Sequence, residues 1–144
     1  MNRDDRMESL LERQYWVVDM LPKQVPADGE GQHFKIEQYY LESPRKEIIC
    51  DEYTNILIKL NCYYDFDILF DERWHNNPTP HFLSECVSRC FSSNRPLFVL
   101  LDSSDALLGL DGDDTTMTIY NPPDGLLELV GALASSEGLF LWKP

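Results

Sequence analysis

A chain of 144 residues with 43% hydrophobic and 12% aromatic residues can bury one core, which excludes a disordered acidic polymer and makes disulfide staples unnecessary. Its 25 acids against 12 bases give a formal net charge of -13, a field that repels phosphates and anionic headgroups and so disfavours nucleic acid and membrane surfaces as partners. The bias is concentrated: the 47 residues from Pro96 to Trp142 carry eight acids and no Lys or Arg.

Met7, Leu10, Leu11 and Gln14 recur at helical spacing and predict an amphipathic helix over Asp4–Gln14. Tyr15–Leu21, rich in β-branched and aromatic residues and stopped by Pro22, predicts a strand. Two prolines and two glycines make Pro22–Gly31 a polar loop. His33–Leu41 suits either helix or strand and is assigned as helix. Ile49, Tyr53, Ile56 and Leu60 mark a helix over Pro44–Leu60, with Pro44 near its start, where a missing N–H costs nothing, and Lys59 at the dipole's negative end.

From Cys62 to Phe70 the period changes to two. Tyr64, Phe66, Ile68 and Phe70 would face the core, and Tyr63, Asp65 and Asp67 the opposite side of one strand. Asp71–Asn77 follows as a polar loop. Thr79 and Pro80 open a helix as N-cap and first residue, with Leu83, Cys86, Val87, Cys90 and Phe91 on its inner face. Leu97–Leu101 is a central strand, Ala106–Leu110 and Thr115–Tyr120 form a hairpin about Asp111-Gly112, and Asn121–Asp124 caps a helix to about Ala134. Gly138–Trp142 closes as a strand. This order predicts one α+β domain over residues 1–144, with helices packed on one face of a mostly antiparallel sheet of five or six strands.

The polar N-terminal stretch carries no secretory signal and no apolar run approaches the ~20 residues of a membrane span, which predicts a cytoplasmic protein with reduced thiols. Cys50, Cys62, Cys86 and Cys90 follow no zinc spacing. Cys86 and Cys90 share the core face of one helix and read as buried structural thiols rather than metal ligands. Neither a Gly-rich phosphate loop nor Gly-x-Ser-x-Gly is present, so no cofactor and no metal is expected.

The densest group of reactive side chains is Asp71-Glu72-Arg73-Trp74-His75-Asn76-Asn77. There His75 could act as general acid or base with Asp71 or Glu72 as its orienting carboxylate, and Trp74 and Asn76 could contact a ligand. The same residues suit a plain polar connection, with Trp74 on the core and Arg73 paired to an acid. Asp65 and Asp67, with Asp71, offer hard oxygen ligands, but a solvated sheet face accounts for that spacing as well. Asp111-Gly112-Asp113-Asp114 fails as a calcium loop, because position 12 from Asp111 is Pro122.

Two functional readings from different classes emerge, beside a third in which the acids only keep the domain soluble. One is a non-enzymatic interaction module that binds a basic protein through acids such as Asp113 and Asp114, an immunity- or antitoxin-like inhibitor being a specific version. The other is a small-molecule binder or hydrolase-type enzyme built on Asp65, Asp67, Asp71, Glu72, His75 and Asn76. An exposed apolar patch beside the acids favours the interaction module over the solubility device.

Overall fold

The computed structural model of the chain describes residues 2–29 and 31–144; Met1 and Glu30, the latter in the expected Pro22–Gly31 loop, lie outside the described residues. Along the chain run α1 (Arg3–Leu10), β1 (Tyr15–Asp19), α2 (His33–Tyr40), α3 (Arg45–Leu60), β2 (Asp67–Phe70) and β3 (Arg73–Asn76). They are followed by α4 (Pro80–Ser93), β4 (Leu97–Leu101), β5 (Ala106–Leu110), β6 (Met117–Tyr120), α5 (Asp124–Ser136) and β7 (Phe140–Trp142). The strands form one seven-stranded sheet in the order β3-β2-β4-β5-β6-β1-β7, antiparallel at every pairing. The fold is α+β, with one strand more than the upper expectation.

Alternation along the strands decides what each sheet face buries. Ile68, Val99, Leu101, Leu108, Leu110, Met117 and Ile119 join the main core with Ile56, Leu57 and Leu60 of α3, Val87 and Cys90 of α4, and Leu126 and Val130 of α5. α4 begins where its caps dictate. Thr79 Oγ1 accepts the Phe82 N–H at 3.1 Å, Pro80 fills the first turn, and Asn94 ends the helix in the left-handed region. At the centre of α3 the fully buried Tyr53 places its hydroxyl 3.0 Å from the Val18 carbonyl and 2.6 Å from that of Thr115, tying the helix to β1 and to the segment entering β6.

The reverse face is covered at one corner. Leu10 of α1, 2% exposed, packs on the cross-strand pair Leu100 and Leu107, with Met7, Trp74, Phe98 and Tyr120 around it. So α3, α4 and α5 line one face and α1 is added to the other. Asn2 caps α1 through the Asp5 N–H at 2.8 Å, with Asp4 and Asp5 at the positive end of its dipole. Burying a leucine of this kind is worth about 2 kcal/mol.

Three segments depart from the sequence expectation. Residues 62–66 are not strand. The backbone N–H groups of Tyr63 and Tyr64 turn back to the Leu60 carbonyl at the end of α3, and Asp65 therefore precedes the sheet. The expected loop Asp71–Asn77 is a turn plus the edge strand β3. Asp71 and Glu72, at φ 52° and 63°, form the two-residue connection of a β-hairpin, in which both residues must take positive φ. The β5–β6 hairpin exists, but its register pairs Leu110 with Met117, so Asp111-Gly112 is not a tight two-residue turn. Gly112 is needed for proximity instead: a Cβ there would run into the Cys90 carbonyl of α4, with Phe91 Cα at 3.0 Å.

Candidate functional site

The hairpin β2–β3 splits the reactive residues of 71–77 between two faces. Register pairs His75 with Ile68 and Arg73 with Phe70 on the helix side, which leaves Trp74 and Asn76 on the reverse side. His75 is half-buried with its ring 4.8 Å from that of Phe82. The carboxylate of Asp71 is held by Arg89 at 2.8 Å and by Arg95. Desolvation acts to raise the Asp71 pKa, but the Arg95 hydrogen bond and the charges of Arg95 and Arg89 bring it below the ordinary aspartate value. Glu72 is exposed at the turn, and the cavity that Asp71 and Glu72 line does not include His75.

The remaining residues named for that site have structural partners. Trp74 Nε1 donates to Asp4 of α1 at 2.9 Å. Asp67 is buried, accepts Asn76 Nδ2 at 2.8 Å and meets Arg3 at 3.3 Å. Asp65 accepts Asn77 Nδ2 at 3.0 Å, while Asn77 Oδ1 accepts the Phe66 N–H at 2.8 Å and closes the open end of the hairpin. Among the described residues no three His, Cys, Asp or Glu side chains are placed to hold a metal ion.

The other end of the sheet is different. Acids gather there with no Lys or Arg lining the cavity they share, and His33 is the titratable base beside them. Burial first, with Asp114 beside it, raises the Asp19 carboxyl, against the backbone N–H groups of Leu21 and Met20. Burial also raises Glu37 of α2, and the adjacent Asp114 adds to it by charge and by a carboxyl–carboxyl hydrogen bond, while His33 and the Thr115 hydroxyl oppose. Asp111 is raised by burial and by Asp113. A cavity of about 410 Å³ lies among Tyr15, Asp19, Phe34, Glu37, Asp114 and Trp142. It shares Asp114 and Thr116 with a second of about 220 Å³ that runs along the open sheet face past Phe98 and Tyr120 to Asp111.

Beside these acids α2 presents its apolar side chains to solvent. None of its eight residues is buried; Phe34 is 79% exposed, Ile36 47%, Tyr39 51% and Tyr40 40%, and Ile48 of the adjoining α3 is 60% exposed. Of the two acids named from sequence on the β5–β6 hairpin, Asp113 is exposed and acts on the neighbouring Asp111. Asp114 is half-buried, and its Oδ1 accepts the N–H groups of Thr115 at 2.7 Å and Thr116 at 3.3 Å, so it also shapes the turn.

Sequence reasoning placed Asp113 and Asp114 in this region and missed Asp19, Glu37, Phe34 and Ile36. The available signal was an acid inside an apolar strand, Val18-Asp19-Met20, and aromatic residues on a short helix behind a Pro/Gly loop. No helix among the described residues is long and apolar enough to cross a membrane. Comparisons with protein-family models, with curated proteins and with solved structures give no match, so function is read from the chain's own geometry.

Proposed function

We propose that this domain is a protein-interaction module that receives a basic protein on the surface formed by α2 and the β5–β6 hairpin. The observation that carries the reading is the cavity that brings exposed Phe34 together with Glu37, Asp114 and the buried Asp19, on a helix whose Ile36, Tyr39 and Tyr40 are also exposed and near a hairpin that exposes Asp113. A solubility device needs the acids alone. An interface needs an apolar centre to bury and charges at its rim to steer the approach.

A partner rich in Lys and Arg would lower the repulsion among these carboxylates on binding, and a field of -13 would speed its arrival. One version is an immunity- or antitoxin-like inhibitor, acting in the cytoplasm, whose acids cover the basic site of a nuclease. Its support is the small, acidic α+β frame.

The test compares immobilised wild-type protein with Asp113→Lys and Phe34→Ser in the same native lysate at low salt, eluting with a salt gradient. Basic proteins should leave the wild type at moderate salt, because screening shortens to ~8 Å at 0.15 M, and both variants should retain less. Equal retention by all three proteins, or retention indifferent to salt, would overturn the reading.

A further inference from the structure

The Ile36–Tyr40 side of α2 borders a groove of about 340 Å³ against α3. Ile49 and Leu139, each 6% exposed, form its floor, and Ile36, Tyr40 and Ile48 stand open at its rim. Two charged side chains line it, in different states. Arg45 is already engaged: its Nε donates to the Tyr39 carbonyl at 2.8 Å, its guanidinium lies 3.7 Å from the Tyr39 ring centroid, and Nη2 meets Glu42 at 3.4 Å. Glu52 is half-buried and has no ion pair or hydrogen bond among the described residues; the charge acting on it is that of Glu137, which repels.

This asymmetry selects the occupant. Anything seated in the groove takes more water from Glu52, and a carboxylate buried without a cation is costly. A wholly apolar segment would strand it. A second copy of this chain would bring another charge of -13, and a bilayer would bring anionic headgroups. A segment carrying a large apolar side chain next to a Lys or Arg fills the groove and gives Glu52 a charge-assisted hydrogen bond.

We infer that this groove is the anchor point for the basic partner, taking one large aliphatic or aromatic side chain between Ile36, Tyr40 and Ile48 while a neighbouring cation of the partner meets Glu52. The inference rests on the interaction reading above and adds the chemistry of the segment that docks. It corresponds to helix-in-groove recognition, where an amphipathic helix inserts its apolar anchors and flanks them with charge.

The probe is a fluorescently labelled, synthetic amphipathic helix of Leu and Lys, followed by anisotropy. Two comparison peptides keep one half of its chemistry each: Ser replaces every Leu, or Glu replaces every Lys. The wild type should prefer the Leu/Lys helix to both. Ile48→Ser, at a position exposed enough to leave folding intact, should weaken it about tenfold, the size of a moderate anchor contact. Glu52→Gln should weaken it by about fivefold and narrow the preference for Lys over Glu. If the Leu/Lys and Ser/Lys helices bind alike and neither variant matters, the groove is overturned; sensitivity to Asp113→Lys in that case leaves the acidic surface standing. Loss in Ile48→Ser with none in Asp113→Lys upholds the groove and removes the acidic hairpin from the interface. Absence of binding by any peptide overturns the groove and the partner class together.

Discussion

The two ends of the sheet differ in how their charge is matched. At the β2–β3 end Asp71 has Arg89 and Arg95, Asp67 has Arg3 and Asn76, and Asp102 and Asp105 both bind Arg6. At the α2 end no Lys or Arg meets the acids: Asp19 and Glu37 face Asp114 with His33 as the opposing charge, and Asp111 faces Asp113 and Asp114. The cause lies in the chain: the arginines that serve the first end come from residues 3, 6, 89 and 95, and no base follows until Lys143. A crowd of reactive residue types is therefore a poor guide to a site.

The comparison requires that the acidic hairpin be a fixed surface, and Gly112→Ala tests this with the largest expected effect. The added methyl must push α4 and the hairpin apart, at about 3 kcal/mol for overpacking against backbone. A urea midpoint left unchanged would mean that the hairpin is not pinned to α4. Tyr53→Phe comes next, since it leaves the Val18 and Thr115 carbonyls without the hydroxyl between them. A loss of about 2 kcal/mol is expected in the same measurement, and one near zero would detach the acidic end from the core.

Stability against pH separates the ends by sign. Asp71 titrates below its ordinary value of 3.8, so its contribution is present above that pH and is lost as pH falls through the lowered value. Asp19, Glu37 and Asp111 titrate above their ordinary values of 3.8 to 4.5, so theirs is full below that range and is lost as pH rises through the raised values. Urea midpoints should rise on moving from neutral pH towards about 4.5 and fall below it. Glu37→Gln should flatten the rise, and Asp71→Asn the fall. A midpoint that drops steadily from neutral pH would break the contrast. The smallest effect on folding belongs to Asp113→Lys and Phe34→Ser, expected within about 0.5 kcal/mol of wild type because both positions are exposed. A larger loss would make them structural and sharpen the interface to other residues.

Elements with strong local signals were legible in the sequence. Thr79-Pro80 opens α4 as its capping chemistry requires, and Leu97–Leu101 is a central strand because both its faces are covered. Where signals came from two sources they misled. The alternation of Tyr64 and Phe66 continues the period of β2, yet helix-end hydrogen bonding to Leu60 holds that segment. Strand β3 was hidden because Arg73-Trp74-His75-Asn76 has no apolar alternation and its turn uses Asp71-Glu72 where glycine is usual. The candidate site was partly legible for a similar reason: local pattern identifies acids and aromatics, but pairing across 70 or 96 residues, as for Trp74 with Asp4 or Arg6 with Asp102, has no local trace.

The inner face of α4 has a consequence for chemical labelling. Burial raises the Cys86 thiol to about 11 and the Cys90 thiol to about 12, so neither supplies much thiolate, whereas Cys62 is exposed. A maleimide dye should mark Cys62 at once and reach the α4 pair only when that helix lifts from the sheet. The chain thus carries its own clock for local opening, with the two buried sulfurs as its hands.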